Sequence, residues 1–350
     1  MNGTRKSRRR IKPHPPARRE AGRAPAYAAL DLGTNNCRLL VAEPADRGFR
    51  VIDAFSRIVR LGEGLERRRR LSAAAIERTI EALEVCAAKM RRRRVVSARN
   101  VATEACRRAE NCDSFLARVR AETGLELEII SSDEEAELAL AGCAPLFDPG
   151  YSHGLVFDIG GGSTELMWVG RDGTGSALGL IASASLPFGV VNLSETHDAR
   201  ERMPREAYEA MIAKLATYLQ AFDARHRIRR RIAEGGVQML GTSGTVTTLA
   251  AIHLGLPRYD RSAVDGSYLG VDDIAAVNRK LLGMDGRERA AEPCVGPARA
   301  DFVLAGCAIL ETILRTWPVA RLRVADRGVR EGILLRLIGG APPGSLAADS

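Results

Sequence analysis

The feature that most constrains this sequence is a strand, acid and glycine-turn pattern that occurs twice. The later copy, residues 154–170, reads GLVFDIGGGSTELMWVG, with Asp158 at the end of the first apolar run. The earlier copy, residues 28–42, reads AALDLGTNNCRLLVA, with Asp31 at the equivalent place. Apolar runs joined by a short glycine-containing turn predict β-hairpins. Two such hairpins indicate duplicated domains that face each other across a cleft.

Both turns have the composition of a phosphate-binding loop. Glycine lets backbone N–H groups approach a ligand, and successive amides in a turn form a concavity that binds anions. Acids beside such a loop repel phosphate, so Asp158 and Glu165 are best explained as ligands of a hydrated divalent cation. Arg38 aligns with Glu165 when the two hairpins are superposed on their aspartates. A plain β-hairpin with a glycine turn is the alternative for either stretch taken alone.

The net charge of +9 suggests nucleic-acid binding only until the charges are located. Residues 1–25 hold nine Lys and Arg against one Glu, so they carry +8 and the rest of the chain +1. We therefore expect no specific nucleic-acid site in the nearly neutral body. The basic segment has no apolar signal-peptide core and is expected to be a disordered tail that aids solubility or contacts polyanions. Two runs of four arginines, residues 67–70 and 91–94, are interpreted as solvated surface.

Cysteine usage and hydropathy are typical of a reduced cytoplasmic protein. The seven cysteines are odd in number and include no C-x-x-C pair. The five histidines show no metal-ligand spacing. No apolar run reaches the length needed to span a membrane, so we expect no membrane partner.

Strands and helices alternate along the chain, as in α/β folds. The spacing of apolar residues predicts one helix over residues 104–119. A short strand over residues 237–240 runs into a turn of glycines and hydroxyls, residues 241–245, that opens a helix. Exposed amides and the helix dipole favour an anion at such a place. An ordinary strand-to-helix turn is the alternative.

With these loops placed, the chain resembles the exopolyphosphatase / guanosine pentaphosphate phosphohydrolase family. The matching segments occur in order through roughly residues 27–338, which is more specific than any single glycine loop. They are DLGTN (31–35), ATEACR (102–107), IISSDEEA (129–136), FDIGGGSTE (157–165), GTSGT (241–245) and DRGVREG (326–332).

The resemblance implies an α/β fold of two ribonuclease-H-like domains of the actin/Hsp70/sugar-kinase superfamily, with the active site in the cleft between them. We expect a basic tail at residues 1–25, a first domain at 26–138, a second at 139–338 and a flexible tail at 339–350. The last helix is expected to pack back on the first domain. The oligomeric state stays open, and a homodimer is the commonest closed assembly.

The resemblance also implies hydrolysis of terminal phosphoanhydride bonds with Mg²⁺ or Mn²⁺. The expected substrates are inorganic polyphosphate, pppGpp or both, and the sequence does not separate them. The family's catalytic glutamate corresponds to Glu135, and its metal-site acids correspond to Asp158 and Glu165, to which we add Asp31. Without the resemblance, Glu135 would be interpreted as a first-turn acid that serves the helix dipole.

Phosphate contacts are expected along both turns and from one arginine, for which a plain surface role is the alternative. These residues are Gly33, Thr34, Asn35, Asn36, Gly160, Gly161, Gly162, Ser163, Thr164 and Arg107. A further set is expected to contact distal phosphates or a nucleotide: Gly241, Thr242, Ser243, Gly244 and Thr245.

Three departures from the family pattern affect these expectations. Asn36 stands where serine is common, and Glu137 stands where the family usually has an arginine. The sequence ends before the C-terminal helical domain of longer members, so we do not expect processive degradation of polyphosphate. An ATP-dependent small-molecule kinase, or an ATP-switch protein of the same fold, is the alternative function. A glutamate placed to activate water favours hydrolysis.

Overall fold

The computed structural model describes residues 24–46, 48–171, 178–196 and 201–340, and the structural statements below refer to these ranges. The tails expected at residues 1–25 and 339–350 lie almost entirely outside them.

The first half of the chain forms a five-stranded sheet and five helices. The strands are β1 (Ala26–Leu32), β2 (Asn36–Pro44), β3 (Phe49–Ile58), β4 (Val95–Ala102) and β5 (Glu128–Ile129). The helices are α1 (Leu65–Arg68), α2 (Ala73–Arg93), α3 (Glu104–Arg108), α4 (Cys112–Thr123) and α5 (Ser132–Cys143). The strand order is β3-β2-β1-β4-β5, with β1 antiparallel to β2 and parallel to β4.

The single helix predicted over residues 104–119 is wrong, because α3 and α4 are separate elements. Asn111, between them, accepts a hydrogen bond from Leu71 N at 2.8 Å and donates one to Leu71 O at 3.0 Å. This tertiary contact holds Asn111 outside a continuous helix.

The second half forms a six-stranded sheet and nine helices. The strands are β6 (His153–Ile159), β7 (Thr164–Arg171), β8 (Leu178–Leu186), β9 (Val237–Thr242), β10 (Tyr268–Gly270) and β11 (Arg321–Ala325). The helices are α6 (Val190–Thr196), α7 (Arg205–His226), α8 (Ile228–Glu234), α9 (Gly244–His253), α10 (Arg261–Val264), α11 (Val271–Leu282), α12 (Gly286–Ala291), α13 (Val303–Thr316) and α14 (Val329–Gly339). The strand order is β8-β7-β6-β9-β11-β10.

The two sheets repeat one topology, since β8-β7-β6-β9-β11 follows the order of β3-β2-β1-β4-β5. The hairpins also share a register. Asp31 of β1 lies opposite Arg38 of β2, and Asp158 of β6 lies opposite Glu165 of β7. The sequence alignment that places Asp31 on Asp158 and Arg38 on Glu165 therefore matches positions that are equivalent in the two hairpins. The duplicated sheets confirm the predicted fold class.

A buried layer of apolar side chains joins the two sheets. It includes residues of α5 and α14 together with strand residues such as Leu40 of the first sheet and Val156 of the second. The backbones of the two helices touch, because a Cβ on Gly332 would collide with the carbonyl oxygen of Leu138. The helices α5 and α14 therefore pack directly against each other between the sheets.

Candidate active site

The two glycine turns lie against each other. In the N-terminal turn (residues 33–36), Gly33 N donates a hydrogen bond to Asn36 O at 2.9 Å. In the central turn (residues 160–163), Gly160 N donates to Ser163 O at the same distance. A Cβ on Gly161 would lie 2.9 Å from the Cβ of Asn35, closer than side chains pack. Glycine therefore permits this approach, and the turns form facing walls of one cleft.

The cleft gathers most of the residues singled out in the sequence. Those that line it are Asp31, Gly33, Thr34, Asn35, Asn36, Glu135, Asp158, Gly160, Gly161, Gly162, Ser163, Ser243, Gly244 and Thr245. Five expected residues lie outside this lining: Arg107, Thr164, Glu165, Gly241 and Thr242.

Glu135 lies in the first turn of α5, which Ser131 caps at its N-terminus. Its carboxylate accepts a hydrogen bond from Arg107 Nη1 at 2.9 Å, and its side chain is 13% exposed. Burial raises the pKa of Glu135 well above its usual value; the charges of Glu165 and Asp31 add to this, and Arg107 opposes it. A strongly perturbed carboxyl group in a cleft is typical of a functional acid or base.

Arg107 directs its guanidinium at protein groups rather than at the cleft. Besides Glu135, it donates to Glu104 at 3.0 and 3.2 Å and to the carbonyl oxygen of Ile130 at 2.9 Å. Glu104 itself lines the cleft. Arg107 thus connects the carboxylates of Glu104 and Glu135.

Asp31 and Asp158 are the second-last residues of β1 and β6, and both carboxylates line the floor of the cleft. Burial raises the pKa of Asp158 to about 6, with a further contribution from the charge of Asp31, while Arg38 lowers it. Burial likewise raises the pKa of Asp31, against the opposing charges of Arg38 and Arg330. Two carboxylates whose ionised forms are destabilised by burial make a favourable place for a cation.

Glu165 lies behind this floor and is 3% exposed. One carboxylate oxygen accepts hydrogen bonds from Ser163 at 2.6 Å and Ser185 at 3.0 Å. Burial and the neighbouring Asp158 raise the pKa of Glu165 to about 7. The adjacent Thr164 is fully buried and donates its hydroxyl to Phe188 O at 2.6 Å, which is a structural contact.

A third loop borders the cleft between β9 and α9. Ser243 has a φ of 137°, and its hydroxyl accepts hydrogen bonds from Thr245 N and Val246 N, which caps α9. A non-glycine residue in this conformation is strained and is often found at functional sites. Thr242 donates its hydroxyl to Arg327 O at 2.5 Å and lines a narrow extension of the cleft. Gly241 instead packs against the ring of Phe157.

Three arginines of the cleft were missed as site residues from the sequence. Arg38 and Arg299 line the cleft, and Arg38 and Arg330 line its extension. None of the three guanidinium groups has a hydrogen bond or ion pair with the described residues. Arg38 could have been found as the counterpart of Glu165 in the other hairpin, whereas the sequence around Arg299 gives no signal.

The cleft also contains buried polar atoms that lack a partner. Within the described ranges, Asn35 Oδ1 and Thr248 Oγ1 are buried without a hydrogen bond, and both residues line the cleft. Buried polar groups are normally satisfied, so these atoms point to a polar ligand.

The acids fit a hydrated cation by their chemistry, although the described part of the chain holds no ready-made cluster of three His, Cys, Asp or Glu ligands. Mg²⁺ keeps several waters and binds through one or two carboxylates together with substrate phosphates. Asp31 and Asp158, which both face the cleft, supply that number of carboxylates.

Fold and site together define a two-lobed α/β protein whose cleft is lined by two facing glycine turns and by buried carboxylates. The chain belongs to the Ppx/GppA phosphatase family, whose model matches residues 40–340. The family predicted from the sequence is thereby confirmed.

Relatives of known name are similar over most of the chain. Exopolyphosphatase 2 of Mycobacterium tuberculosis is 31% identical over 325 residues, covering 89% of this chain and 98% of the relative. The guanosine-5'-triphosphate,3'-diphosphate pyrophosphatase of Aeromonas hydrophila is 30% identical over 317 residues, covering 90% of this chain but only 60% of the relative.

Solved structures agree with the fold. A Ppx/GppA family member from Aquifex aeolicus is 30% identical, with a TM-score of 0.74 and coverage of 90% of this chain and 98% of that one. An exopolyphosphatase from Cytophaga hutchinsonii, 22% identical, has a TM-score of 0.82 and coverage of 91% and 100%, which supports the fold alone.

The cysteines and the hydropathy of the helices bear on the expectations of a reduced protein without a membrane partner. All seven cysteines are free and buried. Among the described helices, none combines the length and apolar composition that crossing a bilayer requires.

Proposed function

We propose that this chain is a metal-dependent phosphoanhydride hydrolase that releases orthophosphate from inorganic polyphosphate, converts pppGpp to ppGpp, or does both. Family membership supports the reaction class, since its relatives are named for exopolyphosphatase and pentaphosphate activities. The observation that carries the proposal is the cleft in which two equivalent turns face each other beside Glu135.

Consecutive phosphates of the substrate would lie between the two turns. Backbone N–H groups and hydroxyls of residues 33–36 and 160–163 would bind their oxygens. Arg38 and Arg299 would add positive charge, since neither guanidinium has an ion pair with an acid in the described part of the chain. The guanidinium fork suits phosphate oxygens. Asn35 Oδ1 and Thr248 Oγ1, which have no hydrogen bond within the described residues, would provide further polar contacts to the substrate.

Asp31 and Asp158 would hold the divalent cation, with Glu165 fixed behind them by Ser163 and Ser185. When bound, the cation neutralises charge on the phosphate oxygens. It also keeps the buried acids ionised, because a nearby positive charge lowers a carboxyl pKa.

Glu135 would orient the attacking water and accept its proton. The water oxygen forms a bond to the terminal phosphorus, the bond from that phosphorus to the bridging oxygen breaks, and the shortened chain leaves with the electron pair. General-base assistance of this kind typically contributes about 10² to 10⁴ in rate. Arg107 holds the Glu135 carboxylate in place through the 2.9 Å contact.

Phosphate release should be measured in parallel from tripolyphosphate, long polyphosphate, pppGpp and ATP, with Mg²⁺ and with EDTA. The informative variant is Glu135→Gln, and its matched control is Glu134→Gln. Glu134 is the neighbouring acid, pairs with Arg99 at 2.6 Å and does not line the cleft.

We expect Glu135→Gln to lose about 10² or more in kcat on the best substrate and Glu134→Gln to keep near wild-type turnover. EDTA should abolish turnover. Near wild-type activity in Glu135→Gln with an intact fold would contradict the proposal. Preferential use of ATP with retained product would instead indicate the ATP-switch alternative.

A further inference from the structure

The central turn is held by the residues that follow β8, here called the backing segment (residues 187–192). Val190 N donates a hydrogen bond to Gly160 O at 3.0 Å, and Val191 N donates one to Gly161 O at 2.8 Å. These are the first two amides of α6, and the first amides of a helix have no partner inside it. Two successive carbonyl groups of the turn are therefore fixed by the start of α6.

The third carbonyl group of the turn is fixed by the side chain of Asn192. Its Nδ2 donates to Gly162 O at 2.9 Å and to Pro187 O at 3.1 Å, while its Oδ1 accepts from Gly189 N at 2.7 Å. Gly162 lines both the cleft and a small separate cavity, and Asn192 lines only that cavity. Asn192 therefore contacts the turn from outside the cleft.

The backbone of the backing segment lies directly against the turn. A Cβ on Gly189 would collide with the carbonyl carbon of Gly161 and with the nitrogen of Gly162. At the end of the turn, Thr164 donates its hydroxyl to Phe188 O at 2.6 Å. The orientation of the peptide groups in the turn is thus set by this packing.

The direction of the three carbonyl groups decides where the amides of the turn point. In a planar trans peptide, the C=O of one residue and the N–H of the next point in opposite directions. The carbonyl oxygens of residues 160–162 are bonded to the backing segment, so the N–H groups of residues 161–163 point away from it. None of these three N–H groups has a hydrogen bond with the described residues. Successive amides in such a turn form a concavity that binds an anion.

The N-terminal turn is held in the same way from the equivalent place in the fold. Val59 N and Arg60 N donate to Asn35 O at 2.8 and 3.1 Å. Both residues follow β3, which corresponds to β8 in the repeated topology. Asn35 aligns with Gly162 when the hairpins are superposed on their aspartates. The carbonyl group that backbone amides hold in the first lobe is therefore held by the side chain of Asn192 in the second, where a substitution can remove the contact.

We propose that Asn192 is a positioning residue for phosphate binding, because it holds Gly162 O outside the cleft and so keeps the N–H of Ser163 directed at a phosphate oxygen of the substrate. The inference rests on the proposed function and assigns a residue to the binding step of that site. Amides that are oriented before the substrate arrives lose less free energy to ordering on binding. An N–H that donates to a charged oxygen also contributes more than one that donates to a neutral oxygen.

The test uses two variants of Asn192 and one matched control. Asn192→Leu keeps the approximate size of the side chain and removes its hydrogen bonds, and Asn192→Ala removes the same bonds without adding a methyl group. The control is Gln238→Leu in the same lobe. Gln238 Oε1 accepts from Asp148 N at 2.9 Å and its Nε2 donates to Leu146 O at 3.4 Å, and Gln238 does not line the cleft.

KM and kcat are measured for tripolyphosphate and pppGpp with saturating Mg²⁺, and urea unfolding gives the stability of each variant. Binding of tripolyphosphate with Mg²⁺ is measured separately by calorimetry, with each protein also carrying Glu135→Gln to suppress turnover. For both Asn192 variants we expect KM to rise about tenfold or more, as for the loss of one hydrogen bond to a charged group. We expect kcat to stay nearly unchanged, because the contact is made equally before and during the reaction. The calorimetric Kd should rise by a similar factor, whereas Gln238→Leu should lose stability and keep the KM and Kd of wild type.

KM and Kd values equal to those of wild type in both Asn192 variants would overturn the inference. So would an equal rise of KM in Gln238→Leu, which would show that lost stability rather than the geometry of the turn weakens binding. If wild type hydrolyses neither substrate, the proposed function fails, whereas the calorimetric comparison still decides whether Asn192 supports phosphate binding by the turn. Tripolyphosphate that does not bind at all would overturn the inference as well.

Discussion

Replacing Arg107 with alanine tests how the candidate base is held. Arg107 Nη1 lies 2.9 Å from Glu135 Oε2, and the two side chains are 17% and 13% exposed, so water screens the pair weakly. An opposite charge this close lowers a carboxyl pKa by about 1 to 3 units. Its removal should therefore raise the pKa of Glu135 further, because burial and the charge of Glu165 already raise it and Arg107 opposes them.

The sign of the effect on rate follows from the role of Glu135. A base must be ionised, so a higher pKa moves the acid limb of the kcat/KM profile to higher pH. At neutral pH, Arg107→Ala should lose part of the contribution of the general base, which is typically about 10² to 10⁴ in rate, and the loss should shrink as the pH rises. Arg107→Lys keeps the charge and should shift the limb less.

The assay is kcat/KM against pH with saturating Mg²⁺ for wild type and both variants. Breaking a buried ion pair also costs about 3 to 5 kcal/mol of stability, so circular dichroism must first show that each variant is folded. A uniform loss of rate at every pH, with the acid limb unmoved, would refute this reasoning and return Arg107 to the phosphate-contact role.

Three further predictions concern the floor and walls of the cleft. The pKa values of Asp158 and Glu165 are raised to about 6 and about 7. Between about pH 4 and pH 7 the metal-free fold therefore binds more protons than the unfolded chain, and its stability falls as the pH rises through this range. Mg²⁺ should therefore raise Tm more above pH 7 than at pH 5, and an equal rise would count against cation binding by these acids. Ser163→Ala removes the 2.6 Å hydrogen bond to buried Glu165 and should cost about 1 to 3 kcal/mol in urea unfolding; an unchanged midpoint would contradict this. Gly161→Ala would place a Cβ 2.9 Å from that of Asn35 and should lower both activity and stability, the latter by about 1 to 3 kcal/mol, while wild-type values would show that the turns need not touch.

The two hairpins could be predicted from the sequence because the residues that specify each hairpin lie close together in the chain. Apolar runs, an acid and a glycine turn fix a strand pair within fewer than 20 residues, and the alignment of Asp31 with Asp158 anticipated the shared register. The expectation that the two turns lie together follows from duplication, because equivalent strand ends of paired domains face one cleft.

The remaining features depend on contacts between distant segments. The hydrogen bond from Arg107 to Glu135 joins residues 28 positions apart, and the one from Ser185 to Glu165 joins residues 20 positions apart. No local sequence pattern predicts either hydrogen bond. Arg299 lines the cleft from the segment before α13, more than 130 residues along the chain from the central turn. The break between α3 and α4 likewise results from the two hydrogen bonds between the Asn111 side chain and the Leu71 backbone.

The most direct measurement is a crystal structure of Glu135→Gln with Mg²⁺ and tripolyphosphate. We predict phosphates in contact with both residues 33–36 and residues 160–163, and the cation beside Asp31 and Asp158. Phosphates bound to only one turn, or outside the space between the two sheets, would contradict the account.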